Sequence, residues 1–352
     1  MKLDLISATF AGYLAAFGLT ERPQTPVTRD YHIEHHRLPG GSPEVTLDAE
    51  LTMPKGTSRV PGLVLITGSG PQNKNEEIAG HKPFLVLSDY LTRQGFAVLR
   101  YDDRGVGKST GDFASVTPQE LASDAAAALR FLKAHPRIAE GKTGYAGHSE
   151  GGYLAPIAQK QVPAAFHVLL AAPALPLLPD VMATQVADIA RAEGVPENEI
   201  ERQLVAVDQM VSVLRSARPP QDIRRDLTRV FRRAGATRRQ LRENVDLWST
   251  PWAAAYAHHD PRPFLEALDI PVLALFGEYD LQVSARHNAR VMTELLRNPG
   301  SKTLVLAGMN HLFQPTVTGK VSEYVRIPTT IDPLALGIIG TWMLDITSDR
   351  SP

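Results

Sequence analysis

The sequence predicts an α/β protein in which a mostly parallel sheet is flanked by helices and interrupted by a helical insertion. From Leu63 onward, short apolar runs typical of buried strands alternate with segments of helical periodicity, a pattern that favours parallel pairing. A glycine-bearing turn, Gly147 to Gly151, separates one such strand from the helix that follows it. Between residues 175 and 262 the strand signal is replaced by charged segments of helical periodicity. We therefore expect a core made of residues 27–174 and 263–352, with the insertion forming a helical cap.

Seven short segments are predicted to be β-strands, because each is an apolar run or alternates apolar and polar residues. The predicted strands are 31–38, 45–53, 62–66, 142–146, 166–172, 271–276 and 301–307. One helix start is well marked, since Thr117 and Glu120 have the spacing of a capping box and Pro118 stands at the first helical position.

Three apolar stripes at helical spacing predict helices in the insertion. They are Ile200, Leu204, Val207, Val211 and Leu214, then Ile223, Leu227 and Val230, then Leu241, Val245 and Trp248. Eight arginines fall within residues 224–242. We interpret this basic run as a solvated helix face, because such runs are more often solvated than part of a binding surface.

The composition excludes several kinds of chemistry. The chain has 352 residues and a formal net charge of −1, so nothing favours nucleic acid or an anionic membrane as a partner. It contains no cysteine, which excludes disulfides, thiolate metal ligands and thiol nucleophiles. No apolar run is long enough to span a bilayer, so no integral-membrane segment is expected. The histidines lack the spacing of a helical metal site, and we predict neither a metal nor another cofactor. The sequence does not indicate an oligomeric state.

The N-terminal segment, residues 1–26, admits two interpretations. Leu5 to Leu19 is an uncharged stretch that follows a lysine, as in a signal peptide, and residues 16–18 resemble a cleavage site. Asp4 at its start and its alanine- and glycine-rich composition favour instead a retained helix followed by a linker. We therefore expect a cytoplasmic protein, with export as the alternative if residues 1–18 are a signal peptide.

The most informative motif is the pentapeptide Gly147-His148-Ser149-Glu150-Gly151, which has the pattern G-x-S-x-G. A predicted strand precedes it and an apolar helix start follows it, which is the context of a nucleophile elbow. In such a turn the serine is held in a strained conformation, and small residues are needed where the backbones crowd. The pattern therefore predicts Ser149 as a catalytic nucleophile.

A serine nucleophile needs a general base and an acid that orients the base. The predicted strand 271–276 is followed by Asp280, and the predicted strand 301–307 is followed by His311. Groups at the carboxyl ends of parallel strands meet at one edge of the sheet. The order serine, acid, histidine is that of a hydrolase triad, so His311 is predicted as the base and Asp280 as the acid.

Glu278 competes with Asp280 for the role of the acid, since spacing alone hardly separates them. We favour Asp280 because it lies past the strand end, where a loop can turn back toward His311. Carboxylates in other loops fit the order less well: Asp103, Asp260 and Asp269.

With these motifs the chain resembles bacterial serine esterases of the α/β-hydrolase superfamily. It is most similar to the branch with a G-H-S-E-G-G elbow, which is related to prolyl-oligopeptidase-like and acyl-CoA-thioesterase-like hydrolases. The resemblance implies the α/β-hydrolase fold, with a cap between the strand after the elbow helix and the strand that bears the acid. One departure is Lys74, at a position where the family usually has arginine. The matching stretches are 65–72, 100–109, 147–152, 249–252, 277–283 and 310–314.

An oxyanion hole needs two backbone N–H groups aimed at the oxygen of the tetrahedral intermediate. One is predicted from Glu150, the residue after the nucleophile, at the positive end of a helix. The other is expected from the glycine-bearing loop after the predicted strand 62–66. The resemblance assigns this second donor to Ser69, with Thr67 in place of the histidine usual in the family.

These residues predict a serine hydrolase that cleaves carboxylic esters of small molecules through an acyl-enzyme. The resemblance to esterases rather than lipases implies a preference for short acyl groups. A serine peptidase or a thioesterase of the same fold remains an alternative, as does a non-catalytic ligand-binding homologue. The substrate pocket is expected to include Gly68, Trp248 and Trp252, and the two tryptophans either line it or hold the cap on the core.

Overall fold

A single sheet of eight strands runs through the described part of the chain, in the order β1-β2-β4-β3-β5-β6-β7-β8. The computed structural model describes residues 22–348, so most of the predicted N-terminal helix or signal segment lies outside the described residues. Strand β2 runs antiparallel to both of its neighbours, and the pairings from β4 through β8 are parallel. The strands are β1 (His32–Pro39), β2 (Thr46–Met53), β3 (Val60–Ile66), β4 (Ala97–Tyr101), β5 (Ile138–His148), β6 (Phe166–Leu170), β7 (Val272–Gly277) and β8 (Lys302–Leu306).

All seven predicted strands are present in this sheet, with ends shifted by a few residues. Strand β4 is not among the predicted segments, although it is buried at every position. The predicted fold class, a mostly parallel sheet flanked by helices, is confirmed. The parallel arrangement brings the carboxyl ends of β3, β5, β7 and β8 to the same edge of the sheet, which is where the predicted site residues lie.

Helices cover both faces of the sheet, and each face has its own hydrophobic core. One face is covered by α1 (Pro83–Arg93) and α11 (Pro333–Thr347). The other is covered by α2 (Pro118–Ala134), α3 (Glu150–Gln159) and α10 (Ala285–Leu295). Helix α2 begins at the predicted capping box, in which both reciprocal hydrogen bonds are formed. No helix among residues 22–348 is long and apolar enough to cross a membrane.

Between β6 and β7 the chain leaves the sheet and forms a series of helices, at the place predicted for the cap. After a short π-helical turn (Leu177–Val181) these are α4 (Met182–Ala192), α5 (Glu197–Leu214), α6 (Pro220–Arg233), α7 (Arg238–Trp248), α8 (Pro251–His258) and α9 (Arg262–Glu266). The three predicted apolar stripes lie on α5, α6 and α7, and most of their side chains are buried. The eight arginines of residues 224–242 are all exposed, which agrees with a solvated face. The division of the chain into core and cap remains a prediction.

Candidate active site

Ser149 lies in the sharp turn between β5 and α3. Its backbone has φ of 52° and ψ of −117°, and a non-glycine residue adopts a positive φ only at a cost in strain. The turn is held from both sides. The Ser149 N–H donates to the carbonyl oxygen of Leu170 at 2.8 Å, and the Ser149 carbonyl oxygen accepts from the Gly152 N–H at 2.9 Å. The strand, turn and helix of the predicted elbow are therefore present, with Ser149 half-buried.

The glycines around this serine are required because backbones approach each other closely. A Cβ atom at Gly147 would lie 2.2 Å from the carbonyl oxygen of Gly151, and one at Gly151 would lie 2.1 Å from the carbonyl oxygen of Ile66. Neither distance is sterically possible. The start of α3 can therefore pack against the ends of β3 and β5 only without side chains at these positions.

We expect Gly151→Ala to destabilise the protein by about 1–3 kcal/mol, the usual range for forcing extra atoms into a packed interior. The atoms in the way belong to the backbone of Ile66 and Thr67, so they cannot move aside as the end of a flexible side chain can. Chemical denaturation would measure the free energy of unfolding.

Gly337→Ala on α11 is the matched control for this substitution. Apart from its chain neighbours and the backbone of its own helix, no heavy atom lies within 4 Å of a Cβ at Gly337. Alanine in a helix is expected to be more stable than glycine there by about 0.5–1 kcal/mol. Equal destabilisation by the two substitutions would contradict the crowding argument.

Asp280 follows β7, His311 follows β8, and a hydrogen bond joins their side chains. His311 Nδ1 lies 2.7 Å from Asp280 Oδ2, and both residues are buried. The other carboxylate oxygen, Oδ1, accepts the backbone N–H groups of Gln282 and Val283, each at 2.8 Å. The carboxylate is therefore held in place. Because a carboxylate only accepts, it keeps the proton on Nδ1 and leaves Nε2 of His311 as the proton acceptor.

Glu278, the competing candidate for the acid, has a different partner. It is exposed, and its Oε2 accepts the backbone N–H of Gly308 at 2.9 Å. Asp103 is buried under the loop that follows β3, where it accepts the hydroxyl of Thr67 at 2.9 Å. Burial raises the pKa of Asp103 well above its usual range. The structure thus brings Asp280, and not Glu278, against His311.

The loop predicted to carry an oxyanion donor, Thr67 to Gly70, lies against the nucleophile turn. A Cβ at Gly68 would lie 3.4 Å from the Cβ of Ser149. The Gly68 N–H donates to Oε1 of Glu76 at 2.7 Å, so this amide is already occupied. Ser69, the next residue, is half-buried. Its place beside the nucleophile turn fits the predicted donor, and its role remains a prediction.

Lys74, the departure from the family pattern, anchors the chain between this loop and α1. Its Nζ lies 2.6 Å from Oδ2 of Asp48 and 3.0 Å from Oδ2 of Asp102. Its backbone N–H also donates to Oδ1 of Asp102, at 2.7 Å. A lysine at this position therefore binds two carboxylates at the sheet edge.

Glu150 contributes a side chain to the site in addition to its predicted backbone N–H. Its carboxylate is buried, and Oε1 accepts from Trp252 Nε1 at 2.6 Å and from Tyr256 Oη at 2.8 Å. Burial raises the pKa of this carboxyl, and hydrogen bonds from Trp252, Tyr256 and the Ser69 side chain offset part of that effect. Trp248 is fully buried and packs against Trp252, with ring centroids 6.1 Å apart. Of the three predicted pocket residues, Gly68 and Trp252 therefore lie beside the nucleophile turn, and Trp248 packs on Trp252.

Three side chains that connect these groups are not among the predicted catalytic or pocket side chains. Glu76 lies in a polar loop, and no spacing in the sequence ties it to the elbow. His148 enters the prediction only as a variable position of the motif, and Glu150 enters it only through its backbone N–H group. A signal for both was present, since each is an ionisable residue at the end of a strand or the start of a helix that is otherwise apolar.

Comparison with known proteins identifies the family. Residues 41–313 match the family model described as X-Pro dipeptidyl-peptidase (S15 family). The chain belongs to this family. Esterase EstD of Thermotoga maritima is 28% identical over 302 residues, which cover 85% of this chain and 65% of that protein. The chain thus spans about two thirds of the length of the curated relative that it matches.

Two solved structures show the fold. An esterase of Pyrococcus furiosus has a TM-score of 0.56 at 13% sequence identity, with 95% of this chain and 100% of that chain covered. The α/β hydrolase GrgF from Penicillium has a TM-score of 0.55 at 14% identity, with 90% and 98% covered. The fold is therefore that of the α/β-hydrolases, and the resemblance found in the sequence motifs is confirmed.

Proposed function

We propose that the protein is a serine hydrolase that cleaves carboxylic esters of small molecules. The observation that carries the proposal is the buried hydrogen bond of 2.7 Å between His311 and Asp280, in a site where His311 packs on His148, the residue before the strained Ser149. Strain at a serine and a fixed carboxylate–imidazole pair are features that nucleophilic catalysis uses, and a protein that only binds a ligand has no need of them. The name of the relative EstD supports an ester as the substrate.

In the proposed reaction, Ser149 Oγ attacks the acyl carbon of the ester while its proton passes to Nε2 of His311. Asp280 stabilises the imidazolium that forms, because its carboxylate accepts the Nδ1 proton in a buried hydrogen bond. The carbonyl oxygen of the substrate becomes an oxyanion, which accepts hydrogen bonds from the backbone N–H groups of Ser69 and Glu150.

Collapse of the tetrahedral intermediate breaks the bond to the alkoxide, which leaves as an alcohol after taking the proton from His311. An acyl group then remains on Ser149. Water attacks this acyl-enzyme with His311 again accepting a proton, and the released carboxylic acid regenerates the serine. No step needs a metal or another cofactor.

The family match makes a peptidase the second candidate, since the matching model is described as an X-Pro dipeptidyl-peptidase. Acylation of the serine is the same for an amide and an ester, but the amine is a poorer leaving group. Peptidases of this superfamily usually hold a terminus of the substrate with a charged group, and we assign no residue to that role. A thioesterase is the remaining enzymatic alternative.

A substrate profile tests the proposed function. The purified protein is assayed with p-nitrophenyl acetate, butyrate and octanoate, with a butyryl thioester, and with an X-Pro p-nitroanilide. We expect the acetate and butyrate esters to give the highest kcat/KM. Turnover of the anilide without turnover of any ester would show a peptidase and contradict the esterase proposal. No turnover of any substrate would favour a binding protein.

We expect Trp252→Ala to change the preference for acyl length. Removing the indole opens volume next to Glu150 and the nucleophile turn, so kcat/KM for the octanoyl ester should rise relative to the acetyl ester by about tenfold or more, the lower end of what single pocket contacts discriminate. The ratio of the two kcat/KM values is the measurement.

Trp342→Ala on α11 is the control for loss of a buried tryptophan. Trp342 is 4% exposed, and its Nε1 donates to the Gly300 carbonyl oxygen at 3.2 Å on the other face of the sheet. Both substitutions should lower the melting temperature, but the acyl ratio should change in the Trp252 variant alone. An unchanged ratio there would mean that Trp252 only holds α8 on the core.

A cytoplasmic location belongs to the same proposal, with export as the alternative. The residues that decide between the two lie outside the described part of the chain. Neither nucleic acid nor a membrane is proposed as a partner.

A further inference from the structure

Glu76 and His148 form a buried pair where the loop after β3 meets the nucleophile turn. Glu76 Oε1 lies 2.9 Å from His148 Nδ1, and the two residues are 3% and 7% exposed. The same Oε1 accepts the Gly68 N–H at 2.7 Å. One carboxylate oxygen therefore joins the residue before Ser69 to the residue before Ser149.

The other ring nitrogen of His148 contacts the loop that carries the proposed base. His148 Nε2 lies 3.1 Å from the carbonyl oxygen of His311, and the two imidazole rings pack with their centroids 4.7 Å apart. Both nitrogens of His148 thus face oxygens that can only accept, one from a carboxylate and one from a carbonyl group. An imidazolium, with a proton on each nitrogen, is the form that satisfies both contacts.

We propose that Glu76 and His148 are a positioning pair that holds the nucleophile, the base and the oxyanion loop in their relative positions. The pair binds the amide of Gly68, next to Ser69, and the carbonyl group of His311, while His148 itself adjoins Ser149. It therefore acts on the substrate through these neighbours. This inference rests on the proposed hydrolase function.

The backbone of Glu76 supports a role in function over one in stability. Its φ is 53°, a left-handed conformation that is costly for a non-glycine residue and persists where the surrounding structure enforces it. A buried ion pair adds little net stability, because removing two charges from water offsets most of their attraction. The strained backbone and the desolvated charge of Glu76 therefore both cost free energy at a position beside the proposed site.

The charged groups around His148 set the pH range in which the pair exists. Burial by itself lowers the pKa of His148, but the carboxylate of Glu76, the His311 carbonyl oxygen and Asp280 together outweigh it, so this pKa lies above its ordinary 6.5. The His311 ring is the titratable group packed against it from the loop after β8. A raised pKa in the folded state means that His148 is fully protonated below its ordinary pKa of 6.5 and that the charged pair is lost as the pH rises through the folded-state pKa.

The first test is the steady-state pH profile of Glu76→Gln with a butyryl ester. Glutamine keeps the shape and one acceptor oxygen but removes the charge that retains the His148 proton. We expect kcat to fall by about 10- to 100-fold, the effect of small misplacements in an active site. KM should change little, and the alkaline limb of the profile should move to lower pH. Glu76→Asp keeps the charge, so its alkaline limb should stay near that of the wild type even though kcat falls.

His148→Gln removes the titrating group and should abolish the alkaline limb that the pair causes. His167→Gln is the control, because His167 is fully buried on β6 and its Nε2 lies 3.0 Å from Gln159 Oε1. That variant should keep the kcat and the pH profile of the wild type. If Glu76→Gln and His148→Gln both keep the kcat and alkaline limb of an active wild type, the proposal is wrong.

Two measurements separate failure of the pair from failure of the proposed function. If the wild type hydrolyses no ester, the hydrolase assignment fails, and the pair is tested by unfolding. The free energy of unfolding should then fall with rising pH in the wild type and not in His148→Gln. If the variants do not fold, nitrogen NMR of the wild-type histidines decides, because His148 must keep both ring protons at a pH just above its ordinary pKa of 6.5. A neutral His148 at that pH would overturn the proposal.

Discussion

Ser149→Ala should reduce ester hydrolysis by about 10⁶-fold in kcat, the size of the effect when the nucleophile of a triad is removed. The variant loses the atom that forms the acyl-enzyme, and the residual rate comes from binding and the oxyanion donors. The fold should be unchanged, because alanine occupies the strained turn, with its φ of 52°, as serine does. Rates of p-nitrophenol release and the melting temperature are the two measurements.

Two controls accompany this variant: a double variant within the triad and a substitution of an unrelated serine. Ser149→Ala combined with His311→Ala should be little slower than either single variant, because the residues act as a unit. Ser212→Ala, an exposed serine on α5, should keep the wild-type rate. If Ser149→Ala retained most of the activity, an organophosphate that labels another residue would identify the true nucleophile.

Asp280→Asn should lower kcat by about 10⁴-fold, the size of the effect when the acid of a triad becomes an amide. The asparagine oxygen can still accept the N–H groups of Gln282 and Val283, so the loop should keep its shape. Its NH₂ group, however, faces His311 Nδ1 and favours the tautomer that carries the proton on Nε2. That tautomer cannot accept the proton of Ser149.

Glu278→Gln is the matched control for the acid, since this residue lies two positions away on the same loop. It is exposed and bonded to the Gly308 N–H, and we expect a change in kcat of less than about threefold, as for most surface substitutions away from a site. A collapse of activity in Glu278→Gln with full activity in Asp280→Asn would reverse the assignment of the acid.

Much of the fold was predictable because its signals are local. Strand runs, turn residues and the capping box at Thr117 depend on neighbours in the chain, and topology then brings the strand ends to one edge of the sheet. For that reason the sequence alone could predict Ser149, Asp280 and His311 as the catalytic residues. Strand β4 was missed among the alternating elements, although the structure buries all of it.

By itself, then, the sequence determined the fold class, the family motifs and the strand ends at which the predicted residues lie, because each of these depends on periodicity and short motifs. The tertiary structure decided which side chains meet. It placed Asp280 rather than Glu278 on His311, and it joined Glu76 to His148 across 72 positions of the chain. It also set Trp252 and Tyr256 on the carboxylate of Glu150. These contacts depend on backbone direction and on the burial of polar groups that must find partners, and neither is encoded in local spacing.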